Sequence, residues 1–246
     1  MALTLAQTLE GLEGLQLHAA QRCLDEHKVG VVDRKEFYPT ISRYLQASGD
    51  MRPYPDVNSR GQQRQWCGDL VAWGYADDHL GIHPTIRRCL FPSTYRLYVM
   101  GKYLPDWNAK TKAGVWRYKK VRLSSGREVG IREWHKESGA LRLFATPAKN
   151  AQFVGDLPWK PRAGDIGTVR RTFNRDGKPT PWGGHVVMIT GVGVELLTTV
   201  EGNAGGSGPD GQKIRDGVVT NRRPVSDFET LLRPSLCDFD LGVTYI

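Results

Sequence analysis

Four residues of this 246-residue chain have the types and spacing that thiol chemistry needs: Cys67, His185, Glu201 and Asn203. Cys67 sits in the run Gln65-Trp66-Cys67-Gly68-Asp69-Leu70-Val71-Ala72-Trp73, where Leu70, Val71 and Trp73 recur at helical spacing behind a polar, turn-rich segment. A thiol at a helix N-terminus faces the positive end of the dipole and the first unpaired backbone N–H groups. Both favour the nucleophilic thiolate. Taken alone, a cysteine in such a run is more often a small buried apolar side chain. A working nucleophile also needs a base, a polar group that orients the base, and donors for the developing oxyanion. His185 is the candidate base: it follows Gly183-Gly184, where a backbone can approach a neighbour closely, and it opens the apolar strand Val186-Val187-Met188-Ile189. Further on, Glu201-Gly202-Asn203 closes the next expected strand. Residues two apart on a strand share a face, so either Glu201 or Asn203 can address the imidazole while the other lines the cleft.

Positioning these residues takes helices first and strands afterwards. Residues 4–27 are expected to form one or two helices, with Leu5, Leu9, Leu12, Leu15 and Ala19 on one face. Gly11 and Gly14 oppose a single helix, each by roughly 1 kcal/mol. A helix over Tyr38–Ala47 takes Pro39 in its first turn, shows the stripe Ile41, Tyr44 and Leu45, and ends at Ser48-Gly49. A polar loop over 50–64 leads into the cysteine helix at 66–79, and Thr94–Lys102 is expected as another short helix. Alternation predicts strands over Val115–Leu123 and Glu128–Trp134. From Pro161 the pattern turns β: Gly164-Asp165-Ile166 leads into a strand to Val169, followed by strands over Gly183–Gly191, Glu195–Glu201 and, last, Val218–Asn221. Helices followed by an antiparallel meander predict an α+β fold. The expected organisation is an N-terminal helical segment, 1–50, packing on a main body, 51–246, with an insertion at about 103–160. Within that insertion Trp107, Trp116, Trp134 and Trp159 stand among Lys and Arg, a composition that suits a groove for an anionic or sugar-bearing polymer and equally suits packing. Asp165 is expected to shape its turn and Asp69 to complement the helix dipole. Cys23, Cys89 and Cys237 have no base nearby in the sequence and read as structural.

Composition narrows the function classes. Hydrophobic residues at 39% and charged residues at 24% describe a globular chain, and no apolar run approaches a membrane span. Met1–Gln7 lacks the basic and apolar regions of a secretory signal peptide, so export by that route is not expected. A net charge of +8 suits polyanionic surroundings such as nucleic acid, an anionic lipid surface or a bacterial wall, but charge is the only nucleic-acid signature here. The four cysteines form no CxxC pair, and His79 and His83 are separated by Gly81 and followed by Pro84, which spoil the helix a metal pair would need. No metal or cofactor is expected.

Trp66-Cys67, Gly164-Asp165-Ile166, Gly184-His185-Val186 and Glu201-Gly202-Asn203, in that chain order, resemble CHAP-type amidohydrolases within the broader NlpC/P60, papain-like group. The resemblance covers about 51–90 and 160–205, well under half the chain. It implies a cysteine helix packed on an antiparallel sheet that carries the histidine. By resemblance Cys67 is the nucleophile, His185 the base, Glu201 its orienting group and Asn203 a supporting polar residue. Gln65 lies near the family's oxyanion donor, with Gln62, Gln63 and the Cys67 backbone N–H as competitors, and Trp66 and Gly184 flank the substrate. The resemblance also implies the substrate class: an amide bond of peptidoglycan, within the stem or cross-bridge peptide or between muramic acid and alanine. Such an enzyme is expected to act in the periplasm or wall of a target bacterium, as an antibacterial effector with a cognate immunity protein, or as a phage lysin. A hydrolase or transferase acting on a non-wall substrate, and a catalytically silent binding module, are the competing expectations.

Overall fold

Strand pairing dominates the chain from residue 115 onward, and the three helices before it pack together against that sheet. The computed structural model describes residues 5–48, 51–55, 65–76, 115–122, 126, 128–135, 142–170, 184–235 and 244–245. Helices α1 (Leu5–Val29), α2 (Tyr38–Ala47) and α3 (Cys67–Gly74) come first. They are followed by β1 (Val115–Arg122), β2 (Glu128–His135), β3 (Arg142–Pro147), β4 (Ile166–Arg170), β5 (Gly184–Val192), β6 (Leu196–Ser207), β7 (Lys213–Pro224), β8 (Phe228–Ser235) and β9 (Thr244–Tyr245). Among the described residues these strands form one sheet in the order β7-β6-β5-β4-β8-β3-β2-β1-β9. Every pairing in it is antiparallel. The fold is α+β. No helix among the described residues is long and apolar enough to cross a membrane.

Local chemistry sets the helix ends. α1 runs unbroken through Gly11 and Gly14 and stops at Gly30, whose φ of 73° is the left-handed conformation that ends helices. α2 carries Pro39 in its first turn and buries Ile41, Tyr44 and Leu45, the stripe expected from spacing. α3 is shorter than the expected 66–79: it ends at Gly74, and residues 77–79 lie outside the described set. Its last turn is held by Tyr75, which is buried and donates its hydroxyl to the Gly164 carbonyl at 2.5 Å. A side chain at Gly74 would meet Cys23 Sγ at 2.7 Å and the Ala19 carbonyl at 2.9 Å, so α1 and α3 cross at this glycine. Asp69 complements more than a dipole. It is fully buried and accepts the Ser48 hydroxyl, which ties α2 to the first turn of α3.

Period-two alternation divides the core between the two faces of the sheet. Val186, Met188 and Val200 pack with Cys23, Tyr44, Trp66, Leu70 and Val71 of the helical layer. Val187, Ile189 and Leu197 pack on the other face with Phe228, Leu231 and Trp159. Burying a side chain of this size contributes about 1.5–3 kcal/mol, so both faces matter to stability.

Two expectations change, and one open alternative is decided. The strand expected at Val218–Asn221 is the middle of the twelve-residue β7, and it is not the last. β8 follows and lies between β4 and β3, which makes β1–β3 a continuation of the main sheet. Trp159 is buried in the second core and so serves packing rather than a surface groove, while β1 and β2 place Trp116 and Trp134 at paired register positions. Asp165 does shape its turn, accepting the Arg162 N–H at 3.0 Å, but it is also fully buried and receives two bonds from Arg233, at 2.8 and 2.6 Å. Gln62, Gln63, the Thr94–Lys102 segment, His79, His83, Cys89, Cys237 and Trp107 lie outside the described residues.

Candidate functional site

The cysteine helix is seated on the Glu201-Gly202-Asn203 stretch of β6. Trp66 is the N-cap residue of α3 and Cys67 its first helical residue, 8% exposed. Asn203 Oδ1 accepts the Trp66 backbone N–H at 3.3 Å. Gly202 makes this approach possible, since a Cβ there would lie 2.7 Å from Trp66 Cζ3 and 3.0 Å from Leu70 Cβ. Asn203 has a φ of 53°, a left-handed conformation that asparagine tolerates better than most residues. That turn of the backbone breaks the alternation of β6. Glu201 and Asn203 therefore do different work, contrary to the shared face expected from their spacing: Asn203 caps the cysteine segment and Glu201 takes the imidazole.

His185 enters from the neighbouring strand. It opens β5 after Gly184, which is half-buried and pairs with Arg170 across to β4. The β5–β6 ladder pairs Met188 with Val200 and Ile189 with Thr199, so His185 lies toward the Glu201–Asn203 end of β6. The imidazole is 1% exposed, and its Nε2–H donates to Glu201 Oε2 at 2.8 Å.

Glu201 is fully buried, and both of its oxygens are engaged. Oε1 accepts from the Thr199 hydroxyl at 2.6 Å and from Arg223 Nε at 2.6 Å. Oε2 accepts from His185 and from Arg223 Nη2, the latter at 2.7 Å. Burial alone pushes this carboxyl up; the hydrogen bonds from His185 and Arg223 outweigh it and hold the group well below the usual carboxylate range. Burial likewise opposes the Arg223 charge, and the Glu201 carboxylate more than restores it. An ionised acceptor at Oε2 fixes the proton on Nε2 in the neutral imidazole, which leaves Nδ1 as the basic nitrogen.

The other candidate residues separate by environment. Gln65 is exposed beside the helix start. The Trp66 side chain is fully buried, 5.7 Å from the Tyr44 ring centre, so it belongs to the core and not to a substrate-facing wall. Cys23 is structural in character: burial pushes its thiol up to about 12, and Sγ donates to the Leu70 carbonyl at 3.6 Å. Neither Cys23 nor Cys67 is in a disulfide.

Sequence reasoning missed Thr199 and Arg223. The β6–β7 register pairs Leu197 with Arg223, Thr199 with Asn221 and Glu201 with Val219, so these positions share one face. The turn Pro209-Asp210-Gly211 was the available signal, because a hairpin closed there carries β7 as far as Arg223. No protein-family model, no curated protein and no solved structure matches this chain.

Proposed function

We propose that this protein is a papain-like cysteine amidohydrolase of CHAP type that cleaves an amide bond of peptidoglycan. The observation that carries the proposal is the buried His185–Glu201 hydrogen bond of 2.8 Å, whose carboxylate stands on the same stretch of β6 that seats the cysteine helix through Gly202 and Asn203. In the proposed reaction His185 Nδ1 takes the proton of the Cys67 thiol, and Sγ attacks the scissile carbonyl carbon. The tetrahedral oxyanion is met by the backbone N–H groups of the first turn of α3, with Gln65 beside them. Collapse breaks the C–N bond, and the imidazolium gives its proton to the leaving amine. Water then attacks the Cys67 thioester while Nδ1 takes its proton; the C–S bond breaks, the carboxylic acid leaves, and the imidazolium returns the proton to the Cys67 thiolate. Glu201 stays ionised throughout, fixing the tautomer and stabilising the imidazolium.

The wall substrate follows from the resemblance of the four motifs to this family, and the net charge of +8 agrees with a polyanionic target. Such an activity would serve an antibacterial effector, acting in the target's periplasm and opposed by an immunity protein, or a phage lysin. The β1–β3 extension of the sheet favours one competing reading, the same chemistry on a non-wall amide or ester.

Incubating the purified protein and its Cys67→Ala variant with purified peptidoglycan tests the proposal, with released fragments identified by mass spectrometry. Defined fragments from the parent alone are expected, and their masses name the bond. Identical fragments from both proteins would remove Cys67 as the nucleophile. No fragments from either, across several wall chemistries, would transfer the site to a non-wall substrate.

A further inference from the structure

We propose that Arg223 is a positioning residue of the His185–Glu201 pair, clamping both carboxylate oxygens so that Oε2 is presented to the imidazole. This deepens the proposed hydrolase and rests on that reading for its catalytic consequence; the clamp itself stands on geometry. Arg223 reaches Glu201 from β7, two strands away from His185 on β5. Its Nε and Nη2 meet Oε1 and Oε2 at 2.6 and 2.7 Å, the fork-on-fork geometry that fixes a carboxylate in its plane. The guanidinium side chain is 18% exposed, and its carboxylate partner is fully buried. Thr199 completes the cradle from within β6.

A second consequence is electrostatic. The Glu201 charge is shared between guanidinium and imidazole, so Arg223 limits how strongly the carboxylate favours the imidazolium. The groups facing this network are Glu201 and Thr199 from β6, His185 from β5, and Asp227 from the turn after β7. Cys67 joins from α3 in the proposed mechanism. Removing the guanidinium frees the carboxylate to leave the plane in which Oε2 meets the imidazole N–H. A residue that served only packing would not move this behaviour.

The test uses the full chain and needs no substrate, so it stands apart from the peptidoglycan experiment. The low-field Nε2–H signal of the His185 ring is followed by NMR in the parent, Arg223→Gln and Arg223→Lys, with circular dichroism confirming the fold. In Arg223→Gln the carboxylate loses its clamp, and the signal is expected to vanish through exchange with water. In Arg223→Lys the charge remains but one ammonium cannot hold both oxygens, so the signal is expected to weaken. A folded glutamine variant with an undiminished Nε2–H signal would overturn the proposal. So would a lysine variant with an undiminished signal, and that arm is decisive if the glutamine variant does not fold.

Discussion

Glu201→Gln is expected to lower turnover on peptidoglycan about 10²–10⁴-fold while leaving the fold in place. The loss goes beyond one hydrogen bond. Glutamine keeps the shape of glutamate but offers one acceptor oxygen and one NH2 group. Arg223 has only donors, so it captures the oxygen, and the NH2 turns toward His185 Nε2. An imidazole that accepts at Nε2 carries its proton on Nδ1, the nitrogen that the proposed mechanism needs empty. The variant also removes the negative charge that supports the imidazolium. Steady-state hydrolysis, with circular dichroism and a urea midpoint recorded on the same sample, measures the effect. Turnover near that of the parent in a folded variant would pass the orienting role to Asn203, despite that residue's bond to the Trp66 N–H.

Arg233→Met is expected to cost about 3–5 kcal/mol of folding stability, the loss typical of stripping one partner from a buried ion pair. Arg233 is 2% exposed and Asp165 fully buried, and two hydrogen bonds join them. Arg233 also donates to the Lys160 carbonyl at 2.7 Å, which ties β8 to the chain entering β4. Its removal leaves a buried carboxylate that still accepts the Arg162 N–H but has lost its counter-ion. Equilibrium urea unfolding checks the figure. Pairing the change with Asp165→Leu should recover much of the loss, because no charge is then stranded. A single variant that loses less than about 1 kcal/mol would mean that water or another cation reaches Asp165, against its burial.

The parts of this protein most legible in its sequence were those governed by local rules. Pro39, the Ile41-Tyr44-Leu45 stripe and Ser48 mark α2 to the residue, and Gly184-His185 followed by four apolar residues marks β5. The pairing of His185 with Glu201 was one of two open options, and the left-handed backbone at Asn203 decides between them. Spacing could not foresee this, since one positive φ cancels the period-two rule on which the expectation rested. β8 escaped notice because the buried Arg233 interrupts its apolar pattern, and a charge in a strand normally signals the solvent face. The stretch over about 103–160 read as an insertion in the main body, its basic and aromatic residues setting it apart in composition. Its strands nonetheless join the main sheet through β8, a long-range pairing that no local pattern records. Arg223 was legible only through the turn at Pro209-Asp210-Gly211, since its partner is 22 residues back along that hairpin.

The central claim is that Cys67 is an activated thiol served by His185, and the chain carries its own control in Cys23. Alkylation by iodoacetamide near neutral pH, read for each cysteine by peptide mass, compares the two directly. Cys23 is completely buried and its thiol is pushed up to about 12, so it should stay silent in the folded protein. Cys67 is expected to react at least about tenfold faster than Cys23, and to slow about tenfold or more in a folded His185→Ala variant. A Cys67 no more reactive than Cys23, or one indifferent to the loss of His185, would contradict the account.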